Sequence, residues 1–168
     1  MPADSVKLLV FQIGGEMCAL RVEAVREIVP MAALAKPPGR PSVLEGFLNL
    51  RGVATAVVRL DRLYDLPAAD AGLGARLIVL RDRQAGLPPA ALLAESVDEI
   101  VEVAAEALLP VPERNCFNDA SEAVVILGGR TAHLLRPGRV LIEGERRSIA
   151  EFQVRAQQIV DELEGLPA

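Results

Sequence analysis

A polar turn between two apolar segments, within residues 46–60, constrains the fold of this chain most. Phe47 begins the first segment, and residues 53–58 form the second. The turn contains Arg51 and Gly52, and glycine adopts a positive φ without steric cost, so the pattern predicts a tight β-hairpin. Arg51 is permanently charged and must reach the surface, where it either increases solubility or meets a carboxylate.

The rest of the chain consists mainly of short segments rich in β-forming residues, separated by turns rich in Gly, Pro and Asn. The predicted strands are 6–13, 16–20, 25–29, 76–80, 90–94, 96–103, 123–127 and 131–135. Paired glycines at 14–15 and 128–129 predict two more hairpins. We also expect a helical turn before the strand that begins at Val25, and a short helix over residues 60–66.

A weak internal repeat links the two halves of the chain. VREIV at 25–29 is echoed by VDEIV at 97–101, and VVRLDRL at 57–63 by LLRPGRV at 134–140. Two sets of about five short strands predict two small barrels, because closure removes exposed sheet edges.

The predicted fold class is therefore all-β, with two five-stranded β-barrel subdomains, short helices and a C-terminal α-helix. We expect a single domain over 1–168, with one subdomain over about 6–66 and the other over about 75–145. Residues 68–74, which are small and polar, form the predicted linker between these halves.

The C-terminal segment predicts a helix over about residues 148–164. Ser148 and Glu151 have the spacing of a capping box, and Gly165 with Pro167 predicts the end of the helix. One face carries apolar residues at helical spacing, namely Ile149, Phe152, Ala156, Ile159 and Leu163. Because so short a helix is marginal alone, this face must pack on its own barrel, on a second copy or on a partner.

Composition restricts the function classes. The formal net charge of −5 and an aromatic content of 3% argue against a nucleic-acid-binding surface, which needs basic and aromatic residues. No apolar run approaches the ~20 residues of a membrane-spanning helix, and the N-terminus lacks a signal sequence. We therefore expect a cytoplasmic protein without membrane insertion.

The sequence offers few groups for catalysis or metal binding. Cys18 and Cys116 are unclustered, and His133 is the one histidine in the chain, so no set of ligands has metal-site spacing. No nucleophile elbow, P-loop or dinucleotide fingerprint is present. We expect a non-enzymatic protein with no metal and no cofactor, in which the cysteines are buried and His133 is structural or lies at the surface.

The sequence of the turn itself carries a family resemblance. The run G-x-x-N-L-R-G at 46–52, preceded by Pro38 and Pro41 and by V-x-E-I at 25–28, resembles the signature of the CheW family, the coupling proteins of bacterial chemosensory arrays. The similarity covers roughly residues 8–141. The family's paired five-stranded barrels agree with the fold predicted above.

The resemblance implies an adaptor that links the regulatory domain of a CheA-like histidine kinase to the cytoplasmic tip of a methyl-accepting chemoreceptor. The implied partner-binding residues are Val25, Glu27, Asn49, Arg51 and Gly52. Alternatively, Arg51 and Glu27 are ordinary solvated charges, and Asn49 hydrogen-bonds the backbone of the turn.

Two other functions stay open. One is a divergent regulatory module that binds only one of these partners, outside chemotaxis. The other is a barrel that binds a small ligand or nucleic acid, against which the acidic, aromatic-poor composition argues.

The sequence also departs from the family pattern. Ala56 replaces a usual proline, and Arg59 and Arg136 stand where an aspartate is usual. The arginines indicate either a changed partner interface or drift on solvated edges.

Overall fold

The computed structural model describes residues 4–68, 72–81, 89–113, 117–140 and 143–164. These ranges form ten strands and two α-helices, with 3-10 turns between some of them. The strands are β1 (Ser5–Ile13), β2 (Glu16–Arg21), β3 (Val25–Pro30), β4 (Leu44–Leu50), β5 (Val53–Val58), β6 (Arg76–Leu80), β7 (Ala90–Ala94), β8 (Ser96–Ala104), β9 (Ser121–Leu127) and β10 (Arg130–Leu135). The helices are α1 (Leu60–Leu63) and α2 (Glu143–Glu164). Every strand predicted from the sequence is present.

The strands form two five-stranded sheets. Sheet A has the order β8-β1-β2-β10-β9, and sheet B has the order β3-β6-β7-β5-β4. The two orders are equivalent: in each sheet a parallel pairing joins two hairpins, β2 with β10 in sheet A and β7 with β5 in sheet B. The repeated VREIV and VDEIV segments lie in β3 and β8, which occupy equivalent edges.

Each sheet contains strands from both halves of the sequence. The strands of sheet B are contiguous, from Val25 to Ala94, and sheet A combines the first two strands with the last three. The strands β3 and β8 each follow a hairpin of one sheet and join the other sheet. The subdomain boundaries at about 6–66 and 75–145 therefore stay a prediction, and the sheets divide the strands in a different way.

The predicted closed barrels are wrong, because neither sheet has a continuous ladder between its edge strands within the described residues. In sheet B, a single bridge joins Ala35, beyond the end of β3, to Phe47 of β4. In sheet A, one bridge joins Leu109, beyond the end of β8, to Val124 of β9. Pro30 ends β3 and has no N–H to extend the ladder. The fold is thus mostly β, with two curled, open sheets.

The core has a layered arrangement. A large cluster between the sheets combines Phe11 of β1, Phe47 of β4 and Ile149 of α2. The opposite faces of the two sheets have smaller clusters of their own, one around Leu77 in sheet B and one around Leu134 in sheet A. Burial on both faces explains why central strands such as β6 and β7 are nearly continuous apolar runs.

Helix α2 packs on β4 and β5 of its own chain. It begins at Glu143, so the predicted cap at Ser148 is wrong, and Ser148 lies inside the helix. Among the described side chains of α2, Ile149, Ala156 and Val160 are buried and Phe152 is half-buried against the core, whereas Ile159 and Leu163 are exposed. Relative to the buried row, Ile159 is rotated by about 80° around the helix axis.

Some predictions lie outside the described residues. They concern Cys116, part of the linker over residues 68–74 and the helix end at Gly165 and Pro167. In the part of the chain that is described, no helix is both long and apolar enough to span a membrane.

Candidate functional site

The turn between β4 and β5 is a two-residue hairpin loop. Arg51 and Gly52 both have positive φ, 49° and 85°. This is the backbone pattern of a type I′ turn, whose twist matches that of the flanking strands. The Asn49 side chain accepts a hydrogen bond from the Gly52 N–H at 3.0 Å. This is the backbone contact that the sequence predicts for Asn49, and it fixes the turn from its β4 side.

Glu27 lies on the opposite edge of sheet B, in β3. The register between β3 and β6 shifts between Val25 and Glu27, so Arg26 occupies a β-bulge. A bulge bends its strand and redirects the neighbouring side chains. The Glu27 carboxylate reaches the hairpin turn at the far edge of the sheet.

Glu27 and Arg51 form a two-pronged ion pair. Arg51 Nη1 donates to Glu27 Oε1 at 3.2 Å, and Arg51 Nη2 donates to Glu27 Oε2. Arg26 Nε lies 3.9 Å from the same carboxylate. The Arg51 side chain is 61% exposed, so its charge remains accessible from solvent.

The electrostatics of the pair favour both charged forms. The hydrogen bond from Arg51 lowers the pKa of the Glu27 carboxyl, and burial acts in the opposite direction without cancelling this effect. The same hydrogen bond raises the pKa of the Arg51 guanidinium. Glu27 is therefore a carboxylate across the physiological pH range.

The structure brings together four of the five predicted site residues. Glu27, Asn49, Arg51 and Gly52 share the hairpin end of sheet B. Val25 differs, because its side chain is half-buried and packs against the central core. Val25 contributes to this surface only as part of β3, the strand that carries Glu27.

A shallow groove of about 410 Å³ lies beside the pair. It has an apolar floor and two arginines, and its lining comprises Arg26, Val53, Thr55, Val79, Leu80, Arg81, Pro89 and Ala90. Val53 in this lining is an exposed apolar side chain, and so is Ile28, next to Glu27 in β3. This end of sheet B thus combines positive charge with exposed apolar area, a combination typical of protein-binding surfaces.

Arg59 does not belong to this surface. It is 7% exposed, and Asp61 accepts two hydrogen bonds from it, at 2.9 and 2.6 Å. Glu45, which occupies a bulge in β4, accepts a third at 3.4 Å. Drift on a solvated edge is therefore wrong for Arg59, because its charge is neutralised by partners within the fold.

Arg136 is different from Arg59. Its side chain is about half exposed, and its Nε lies 4.0 Å from Glu122, which also pairs with Arg21. Arg136 and Arg139 line a polar surface pocket beside Ser121. The two arginines that depart from the family pattern thus occupy unlike environments.

His133 is buried and contacts residues of the core. Its Nδ1 lies 3.3 Å from the Ser121 hydroxyl, and its ring packs edge-on against Phe117, with the centroids 5.2 Å apart. Burial lowers the pKa of its imidazole. No group of three or more potential metal ligands occurs within the described ranges.

One set of contacts at the site was not predicted. Gln157 and Gln153, on α2, hydrogen-bond the backbone of residues 52–54. About a hundred residues separate these partners, and exposed glutamines are common on helices, so no local signal in the sequence marks them.

Comparison with known proteins agrees with this architecture. The model of the CheW-like domain matches residues 7–145. This chain belongs to the CheW-like family. The match includes the hairpin, both sheets and the carboxylate on β3.

Two curated chemotaxis proteins named CheW are similar to the chain. The protein from Rhizobium meliloti (strain 1021) is 26% identical over 146 residues, which cover 84% of this chain and 91% of that protein. The protein from Bacillus subtilis (strain 168) is 32% identical over 82 residues. That second alignment spans 48% of this chain and about half, 53%, of the Bacillus protein.

A solved structure shows the same fold. The crystal structure of the scaffolding protein TtCheW from Thermoanaerobacter tengcongensis superposes with a TM-score of 0.77 at 20% identity. The superposition covers 84% of this chain and 91% of that one. This chain thus shares its overall fold with that scaffolding protein.

Proposed function

We propose that this protein is a non-enzymatic, cytoplasmic adaptor that couples chemoreceptors to a histidine kinase in bacterial chemosensory signalling. The observation that carries the proposal is the exposed Glu27–Arg51 pair at the hairpin end of sheet B, in a chain of the CheW-like family. The names of the similar proteins, chemotaxis proteins and a scaffold, support the same class of function.

Arg51 is suited to contact an acidic partner segment. A guanidinium has five N–H donors, and Glu27 accepts from two of its terminal nitrogens. The remaining N–H groups of the exposed guanidinium are available to a carboxylate on the cytoplasmic tip of a receptor. Arg26 and Arg81 extend the positive charge along the groove, and Val53 supplies apolar contact area.

The pair also presents Arg51 in one orientation. A two-pronged contact restricts the guanidinium plane, so less side-chain entropy is lost when a partner binds. We therefore assign Arg51 and Glu27 to receptor contact, with Asn49 and Gly52 as the residues that shape the turn. Val25 supports this site from the core.

The test is a titration of the purified protein with two probes, a chemoreceptor fragment that contains the cytoplasmic tip and the regulatory domain of a CheA-like kinase, both from the same organism. Binding to both supports the adaptor. Binding to only one supports the divergent regulatory module, and binding to neither overturns the proposal.

A charge reversal locates the receptor site. Arg51→Glu should weaken receptor binding at least tenfold, or by about 1.4 kcal/mol. Arg130→Glu is the matched control, because Arg130 is an exposed arginine beside the turn between β9 and β10 in the other sheet. Equal losses in the two variants would show a general charge effect and contradict the assignment.

A further inference from the structure

Strand β5 extends beyond β7, the strand that pairs with it on one side. The parallel pairing with β7 begins at Ala56, and the Ala56 N–H donates to the Pro89 carbonyl. Residues 52–54, which lead out of the hairpin turn, therefore have β4 on one side and no strand on the other within the described residues. Backbone groups at such an edge need other partners.

Helix α2 supplies these partners through the side chain of Gln157. Its Oε1 accepts a hydrogen bond from the Ala54 N–H at 2.8 Å, and its Nε2 donates to the Gly52 carbonyl at 2.9 Å. A primary amide carries both a donor and an acceptor, as a peptide group does. Gln157 thus takes the place of a neighbouring strand for the Gly52 carbonyl of the turn and the Ala54 N–H of β5.

Two neighbours on the same helix face strengthen this contact. Asp161 accepts a third hydrogen bond from Gln157 Nε2 at 3.0 Å, and because a carboxylate only accepts, it fixes which end of the amide faces Gly52. Gln153 Nε2 donates to the Ala54 carbonyl at 3.4 Å. The three side chains are spaced four residues apart and so form one row on the helix.

The helix is a rigid support for this row. Ile149, Ala156 and Val160 are buried in the core cluster that includes both sheets. Gly52 is consequently held from two directions, its N–H by Asn49 and its carbonyl by Gln157. Arg51, which bears the exposed charge, lies between Asn49 and Gly52. Its φ is positive, a conformation that a non-glycine residue adopts only when its surroundings enforce it.

We infer that Gln157 is a positioning residue for partner binding: α2 holds the Arg51 turn in the geometry that presents the guanidinium. This inference rests on the proposed function, because it takes Arg51 as the contact residue. It assigns to the C-terminal helix a role in recognition, in addition to covering the core.

The test compares Gln157→Met with Gln158→Met. Methionine keeps the length and helix propensity of glutamine and removes both amide groups. Gln158 is the exposed neighbouring glutamine and controls for the change in composition. Hydrogen exchange of the Ala54 amide, measured by NMR, should become faster in Gln157→Met and stay unchanged in Gln158→Met.

Binding to the receptor fragment gives the functional readout. Gln157→Met should weaken binding about fivefold, the loss expected for hydrogen bonds worth roughly 1 kcal/mol. In an Arg51→Ala background the same substitution should have no further effect. A residue that acts only on global stability would not lose its effect when Arg51 is absent.

Each result has a distinct meaning. If Arg51→Ala alone leaves binding unchanged, the proposed function of the site fails. If Arg51→Ala weakens binding and Gln157→Met does not, the positioning role alone is overturned. An equal loss from Gln157→Met with and without Arg51 also overturns it.

Discussion

Glu27 of the edge strand β3 pairs with Arg51 of the turn that follows the other edge strand, β4, across 24 residues of sequence. The sheet is open, and its edges β3 and β4 meet through this ion pair and through the bridge between Ala35 and Phe47. The exposed charges at the proposed partner site therefore also join the two edges of this open sheet. Substitutions here affect both the surface and the curl of sheet B.

The ion pair should titrate at acidic pH. Because the hydrogen bond from Arg51 lowers the pKa of Glu27 below 4.5, the unfolded chain takes up this proton at a higher pH than the folded chain does. The contribution of the pair to stability is present above pH 4.5 and is lost as the pH falls through the folded pKa. In Arg51→Ala, the pKa of Glu27 should rise towards 4.5, as followed by the carboxyl ¹³C shift. An unchanged titration midpoint in the variant would contradict the pairing.

The buried network around Arg59 should contribute strongly to folding. Arg59→Met leaves Asp61, which is 1% exposed, without its two hydrogen bonds from the guanidinium. Removing one partner of a buried ion pair costs about 3–5 kcal/mol. The control is Arg62→Met, because Arg62 pairs with the same Glu45 at 3.2 Å from a more exposed position. We expect the free energy of unfolding of the control, measured in urea, to fall by less than about 1 kcal/mol. Similar losses in the two variants would show that the buried pairing of Arg59 adds no extra stability.

Gly46 should be intolerant of a side chain although its φ is ordinary. A Cβ at this position would lie 2.7 Å from the Ala35 carbonyl oxygen, which accepts the bridging hydrogen bond from Phe47. Gly46→Ala should therefore lower the free energy of unfolding by about 1–3 kcal/mol. At Gly74 the nearest such atom is 3.5 Å away, so Gly74→Ala should change it by less than about 0.5 kcal/mol. A tolerated Gly46→Ala would show that the segment around Ala35 moves freely.

Helix α2 offers a matched pair of isoleucines. Ile149 is 0% exposed and Ile159 is 56% exposed. Ile149→Ala should lower the free energy of unfolding by about 2–5 kcal/mol, and Ile159→Ala should change it little. Because α2 packs on its own sheet, the loss of thermal midpoint should not depend on protein concentration. A midpoint that rises with concentration would instead indicate that the helix packs on a second copy.

The sequence predicted the local elements well. Each strand depends on β-forming residues over five to nine positions, and the hairpins whose turns are described depend on glycines that adopt positive φ, as at Gly15 and Gly129. The turn at Arg51 and Gly52 belongs to this class. The family signature then directed attention to Glu27, Asn49 and Arg51.

The C-terminal helix marks the limit of that local information. Its amphipathic pattern predicted a helix correctly and placed Ile149 and Ala156 on the buried face, yet its predicted start was wrong and Ile159 and Leu163 are exposed. Both depend on where the helix meets β4 and β5, which place Val160 in the core and leave Ile159 facing an apolar surface groove.

The sequence by itself determined the strands, the hairpins and the identity of the charged turn, because each is fixed by neighbours within a few residues. Only the tertiary structure decided that β3 and β8 exchange sheets, that Glu27 meets Arg51, that Arg59 is neutralised inside the fold and that Gln157 supports Gly52. These contacts depend on how distant strands pair and curl, and bulges at Arg26 and Glu45 redirect the side chains by local shifts of register. The local sequence pattern cannot encode such a shift of register, because the interactions that stabilise the shift come from partners elsewhere in the chain.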